Sequence, residues 1–290
     1  DEVARAIGRA DAAQASFRAE LLGRGAEVID AAEAAGTYAV VLASRPYHND
    51  DLVNHGIPEM FCEMGIPVLT PDAVPGAAEV DLSRSRLDVV NNFHARMLST
   101  AILAAESDSL EYVQVVSFGC GHDAYLSDEI VRLMDEVGEK TPLIVKVDES
   151  DNLGPLRIRI RSFVDTIGIT REMGRTRRVR SLSDPYPVKF TEADAREKVV
   201  LVPNTSHAFS RLMASVFTKQ GVRAVPLPLG RERAIALGKR YVHNDICFPA
   251  QITIGETLAA LESGDYDGCD VAVATGKYIG DCRLTHYAAL

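Results

Sequence analysis

The sequence has no apolar run approaching the ~20 residues that a bilayer-spanning helix needs, so no membrane span is expected. It also lacks a charged-then-apolar leader, which makes a cytoplasmic location the expectation. No C-x-x-C pair occurs, so neither a zinc ribbon nor a thioredoxin-type redox motif is signalled. The phosphate-loop pattern G-x-x-x-x-G-K-[ST] is missing: "TGK" at 275–277 has no glycine at the required upstream spacing. H-E-x-x-H and G-x-S-x-G are missing as well, and no G-x-G-x-x-G follows a strand. Positive charge is also short. A formal net charge of −10 argues against a protein that grips nucleic acid or an anionic membrane.

A chain of 290 residues can form two ordinary domains, each with its own core. Short β-branched runs alternate with helical patterns, which predicts an α/β fold with parallel sheets. The strand-like runs are 38–43, 67–70, 112–118 and 143–147, then "KVVLVP", "VRAVPL" and "DVAVAT". Helices are expected near 57–64, over about 85–106, and over "LSDEIVRLMDEVG" with Ser127 as N-cap and Gly138 as stop. Two more are expected from "SHAFSRLMASVFTKQG", ending at Gly221, and from "PAQITIGETLAALESG" after Cys247.

These elements predict a helical segment over 1–36, an α/β domain over 37–167, a linker over 168–195 and a second α/β domain over 196–290. Both domains read as Rossmann-like (flavodoxin-like) parallel sheets. The second reads as truncated, and both chain ends read as cut from a longer polypeptide. Arg175, Arg177, Arg178 and Arg180 in the linker read as solvated rather than as a partner site.

In open parallel sheets, ligands bind beyond the carboxyl ends of the strands, where strand order reverses. "SRPYHND" (44–50) follows the first strand and "GCGHD" (119–123) the third, so Arg45, His48 and Cys120 are expected to converge. "NTSH" (204–207) and "GKYIGDC" (276–282) follow strands of the second domain, and "YVHNDIC" leads into a helix N-terminus. Every polar-rich segment thus falls on one predicted edge.

The five cysteines are Cys62, Cys120, Cys247, Cys269 and Cys282, an odd number without disulfide-like spacing, which suits a reducing compartment. Cys62 reads as helical core and Cys269 as a loop or pre-strand residue. Cys120 is flanked by glycines that allow a sharp turn and close approach of a ligand. Cys247 stands before Phe248–Pro249 at a helix start, and Cys282 lies between Gly280–Asp281 and Arg283. A buried small residue, a Cys–His nucleophilic pair (Cys120 with His122 or His48) and a shared metal site remain open for these positions. Thiolates from three loops suit an iron–sulfur cluster, and a three-cysteine site would leave one iron open to substrate.

Taken together, four segments carry a resemblance: "RPYHNDDLVNHGIPEMFCEMGIPVLTPDAV", "SFGCGHDA", "DNLGPLRIRIRS" and "YVHNDICFPAQITIGETLAALESGDYD". They resemble the large activase–dehydratase fusion proteins, labelled CoA-substrate-specific enzyme activases and related to the 2-hydroxyacyl-CoA dehydratase subunits. The likeness runs over about 38–167 and 198–290. Where many relatives have a glycine-rich "GGGCR", this chain reads "GKYIGDCR", keeping the cysteine–arginine pair without the glycine run.

The resemblance implies anaerobic iron–sulfur chemistry. An ATP-hydrolysing activator injects one electron into a [4Fe-4S] cluster, which passes it to a 2-hydroxyacyl-CoA thioester so that hydroxide can leave. It implies Cys120, Cys247 and Cys282 as metal ligands, and His48, His122 or His243 as the group that protonates or hydrogen-bonds the carbonyl oxygen. Arg45, together with Arg157 and Arg161 four apart on one helical face, joins the cofactor-binding candidates. An ATP-hydrolysing activator and an acyl-CoA are the implied partners. The nucleotide-binding apparatus is not in these residues, so the fragment alone is expected to be inactive. Two rival readings stand beside this one: a non-catalytic scaffold that docks an ATPase activator, and a metal-free cysteine-dependent enzyme.

Overall fold

The computed structural model describes residues 2–89, 91–117, 120–148, 153–174, 179–267, 270–276 and 282–289. It divides into two compact units. The first comprises Asp1–Ser85, Asn91–Phe118 and Leu126–Ser183; the second comprises Arg86–Val90, Gly119–Tyr125 and Asp184–Leu290.

The first unit is built on four parallel strands, β1 (Ala39–Ala43), β2 (Val68–Leu69), β3 (Leu110–Ser117) and β4 (Leu143–Val147), in the order β2-β1-β3-β4. All five residues of β1 are buried. This is the signature of a strand covered on both faces, and it explains why the run is continuously apolar rather than alternating. One face of the sheet carries Val40, Leu42, Val113, Val115 and Val145. It packs with Ile57 and Phe61 of α2 (Ile57–Cys62) and Ile160 of α5 (Leu153–Glu172). The residues between them, such as Val41 and Tyr112, point the other way. There Tyr112 donates its hydroxyl to the Met97 carbonyl of α3 (Asn92–Glu106) at 2.7 Å.

The first helix, α1 (Glu2–Ala34), is mostly exposed, with Gly25 and Ala32 its buried residues. A Cβ at position 25 would fall 1.7 Å from the Ala73 carbonyl oxygen, so only glycine lets helix and loop touch there. Lys140 follows α4 (Gly121–Gly138) and is buried, with Nζ 2.7 Å from the Ser107 carbonyl and 3.2 Å from the Glu111 carboxylate. A buried ammonium needs such partners.

The second unit holds a smaller parallel sheet, β6-β5-β7, of β5 (Val199–Val202), β6 (Ala224–Pro226) and β7 (Val271–Val273). Its helices are α6 (Glu192–Glu197), α7 (His207–Lys219), α8 (Glu232–Tyr241) and α9 (Phe248–Leu261). Thr191 and Asp194 close a reciprocal capping box at the start of α6, satisfying two otherwise orphaned amides. The mixed α/β fold with parallel-only sheets is the one expected from the alternating pattern.

Several local expectations change. The helix predicted over 85–106 starts only at Asn92. Conversely, α4 begins at Gly121, not after Ser127, because Tyr125 and Leu126 are buried and extend its apolar stripe toward the N-terminus. Cys62 is exposed rather than core, since short α2 turns Ile57, Met60 and Phe61 inward and leaves its last residue out. Arg180 stays solvated, its half-exposed guanidinium paired with Glu139 at the surface. Arg175, Arg177, Arg178 and Cys269 lie outside the described residues, as do residues 277–281.

Candidate functional site

In the first unit, the loop after β1 curls into a 3₁₀ turn over Pro46–Asn49, opened by the proline. It brings His48 Nε2 to 3.2 Å from the Ser117 hydroxyl at the carboxyl end of β3, and the Tyr47 hydroxyl to 2.6 Å from the same oxygen. The β1/β3 junction is where strand order reverses, so this polar knot sits where ligands bind in such sheets. His48 is buried, and the Arg45 guanidinium lies 5.9 Å from the Phe93 ring centre. Arg157 and Arg161 are on the exposed face of α5, lining with Met60, Glu63 and Met64 a shallow cavity of about 200 Å³. A larger cavity of about 560 Å³, lined by Lys140, Arg159 and Thr166 among others, lies at the amino ends of β3 and β4 and holds none of the candidates.

The cysteines group differently. Cys120, Cys247 and Cys282 all belong to the second unit, where three sequence-distant segments converge. Cys247 is the N-cap of α9, followed at once by Phe248–Pro249, so the helix start holds its backbone. Its Sγ shares a hydrogen bond of 3.0 Å with the hydroxyl of Tyr287, which lies on the 3₁₀ turn Arg283–Ala289. Beside Tyr287, the His286 ring packs 5.4 Å from Tyr125 and 6.4 Å from His122, both in the first turn or so of α4. The contact between the Cys120 and Cys282 segments depends on a missing side chain. A Cβ on Gly121 would come within 2.5 Å of Arg283 Cδ, so the arginine occupies the room that glycine leaves. Cys120 and Cys282 thus each precede one member of a touching pair.

Electrostatics tie the group together further. Burial pushes the Tyr125 hydroxyl above its ordinary range, the Cys247 and Cys282 thiols push it further up, and the Arg283 guanidinium pulls it back. Tyr287 is raised by burial first, then by its bond to Cys247, with Tyr125 and Cys282 adding to it. The Tyr125 hydroxyl is buried and has no hydrogen-bond partner among the described residues. His243, by contrast, is largely exposed and uses Nδ1 to accept the Asp245 amide at 3.2 Å. The structure therefore brings together the segments of Cys120, Cys247, Cys282 and His122. It places His48, Arg45, Arg157 and Arg161 in the first unit. Reading the sequence missed Tyr125, Arg283, His286 and Tyr287, although three of these stand directly after Cys282 in "CRLTHY".

The "NTSH" loop has a structural use. Glu256 of α9 is buried, and its carboxylate accepts the Asn204 amide at 2.8 Å and the Gly230 amide at 2.6 Å. The Asn204 side chain in turn donates to the Leu227 carbonyl, at 2.9 Å, and accepts from Ser210. Loops after β5 and β6 are thereby tied to one helix.

An iron–sulfur group can be tested against these residues. Among the described residues, no group of three or more His, Cys, Asp or Glu side chains is gathered so that it could hold a metal ion. The thiols of Cys120, Cys247 and Cys282 stand on segments that converge in the second unit, without being gathered into such a group.

Comparison with known families gives a match to the CoA enzyme activase uncharacterised domain over residues 1–74. Neither the curated proteins nor the solved structures give a match. Among the described residues, no helix is long and apolar enough to cross a membrane. With α1, β1, α2 and β2 all falling within the matched range, the chain carries a CoA-enzyme-activase-like region over residues 1–74.

Proposed function

We propose that this chain is an iron–sulfur redox module of the 2-hydroxyacyl-CoA dehydratase/activase type, working with an ATP-hydrolysing activator and an acyl-CoA. The observation that carries this reading is the convergence of the Cys120, Cys247 and Cys282 segments in the second unit. Cys120, Cys247 and Cys282 would hold the cluster, which when bound supplies single electrons at low potential. The chain's own residues bind and shield. The start of α9 fixes Cys247, Arg283 brings cationic charge beside Gly121, and the packed rings of Tyr125, His286 and His122 limit water. Support for the CoA side comes from the activase-like region at residues 1–74.

The test is anaerobic reconstitution with ferrous iron and sulfide, followed by metal analysis and visible absorption. The expected outcome is cluster absorption in the wild-type chain that is lost in each of Cys120→Ser, Cys247→Ser and Cys282→Ser. A wild-type chain that takes up no iron overturns the proposal. The metal-free thiol enzyme is the second reading, favoured by the Cys247–Tyr287 hydrogen bond. It predicts rapid alkylation confined to one cysteine in the iron-free chain.

A further inference from the structure

We infer that Ser117, His48 and Tyr47 form an acyl-transfer site at the β1/β3 switch point, with Ser117 as nucleophile toward an activated ester or thioester. This goes beyond the iron–sulfur reading and does not depend on it. β1 and β3 are parallel neighbours with Ala43 beside Gln114, so the loop leaving β1 runs past the last residues of β3. Pro46 opens the 3₁₀ turn of that loop and Ser117 is the last residue of β3, so regular structure holds both sides of the site. The Ser117 oxygen stands 3.2 Å from His48 Nε2 and 2.6 Å from the Tyr47 hydroxyl. A hydroxyl within hydrogen-bond reach of an imidazole is how serine, a weak nucleophile on its own, is activated. With the imidazole neutral and its proton on Nδ1, Tyr47 donates to Ser117 and Ser117 donates to Nε2, which commits the serine's one proton to the base.

Burial differs among the three as this chemistry needs. His48 is 3 % exposed, Tyr47 is 50 % exposed and Ser117 is half-buried, so the base is fixed while the nucleophile stays within reach of a ligand. The site also lies where open parallel sheets bind ligands, beyond the carboxyl ends of strands whose order reverses. In the first step Ser117 Oγ bonds to the acyl carbon as its proton passes to His48 Nε2. The bond from that carbon to sulfur or oxygen of the leaving group then breaks, and the imidazolium returns the proton to the departing thiolate or alkoxide. Water, deprotonated by the same nitrogen, cleaves the acyl-serine to a carboxylic acid and restores the hydroxyl. Nothing is oxidised or reduced. Tyr47, already bonded to the attacking oxygen, is the donor at hand for the oxyanion as it forms.

The experiment treats the whole 290-residue chain, kept free of iron, with a fluorophosphonate, from which a nucleophilic serine displaces fluoride. Intact mass and peptide mapping are expected to show a single phosphonyl group on Ser117, and none on Ser117→Ala. His48→Asn, with a denaturation midpoint equal to wild type, is expected to label at least about 100-fold more slowly. Tyr47→Phe alters a half-exposed ring and keeps the test decisive should His48→Asn unfold; it is expected to label at least about tenfold more slowly. A wild-type chain that stays unlabelled, or is labelled elsewhere, overturns the inference and leaves Ser117 as a pin between loop and strand. Unchanged rates in the His48 and Tyr47 variants overturn it equally. p-Nitrophenyl acetate and an acyl thioester of N-acetylcysteamine then distinguish ester from thioester as the acyl source, and turnover of neither overturns acyl transfer. Since iron is absent throughout, failure here leaves the iron-uptake test above untouched.

Discussion

The two units differ in how their cores are built and in where their polar side chains meet. The first has strands of up to eight residues and a core whose fully buried side chains include Phe61, Ile57, Met97, Leu133 and Ile160. Its polar loop at the switch point is knotted to the strand beside it through Ser117. The second has strands of three or four residues and two small core clusters, one around Leu201 and one around Val200. Yet it joins three separate segments, through the Cys247–Tyr287 hydrogen bond and the packing of the His286 ring near Tyr125 and His122. Bulk apolar burial gives the first unit stability, whereas the second relies on specific polar ties, and a polar tie can be exchanged for a ligand.

The largest test of this contrast is a pair of core truncations. Phe61→Ala should cost about 3–5 kcal/mol, and Leu201→Ala about 2–3 kcal/mol because a smaller cluster collapses more readily. Chemical denaturation with hydrogen exchange resolves the two, and equal or reversed costs would break the contrast. A polar tie comes next. Glu256→Ala leaves the Asn204 and Gly230 amides without their acceptor and should cost about 2 kcal/mol, with exchange protection lost at those two amides. If protection survives there, the second unit does not depend on that carboxylate. The smallest effect is expected for Gly121→Ala. The flexible arginine can swing aside, so the stability cost should stay near about 1 kcal/mol. The contact between the Cys120 and Cys282 segments should nonetheless be lost, and iron uptake with it. A variant that loads iron normally would show that the contact is incidental.

How much of this was legible in the sequence varied with the physics involved. Strands β1 and β5 were readable because strands buried on both faces are written as unbroken apolar runs, and β3 because its β-branched stretch shows through the buried Glu111 and Gln114. The parallel arrangement and the placing of polar loops at strand ends followed from the alternation of elements. The start of α4 was missed because Ser127 offered a cap-like signal while burial of Tyr125 and Leu126 decided the outcome. Helix α8, with Gly238 packed on the Gln251 backbone of α9, had no place in the expected element list, since its pairing with α9 is tertiary. The cysteines stood out by residue type. Their tyrosine and histidine neighbours did not, because Tyr125 and His286 are 161 residues apart and share no period or motif.

The Glu256 network has a further consequence, for the solvents this chain tolerates. Its carboxylate is held by fixed amide dipoles inside the fold rather than by a mobile surface cation. Exposed pairs such as Arg196–Glu192 and Arg233–Glu262 fade as ionic strength rises, whereas buried interactions are screened much less. Concentrated salt therefore strips the outer charge pairs while the loops after β5 and β6 stay joined to α9, and the carboxyl edge of the smaller sheet keeps its form in brine.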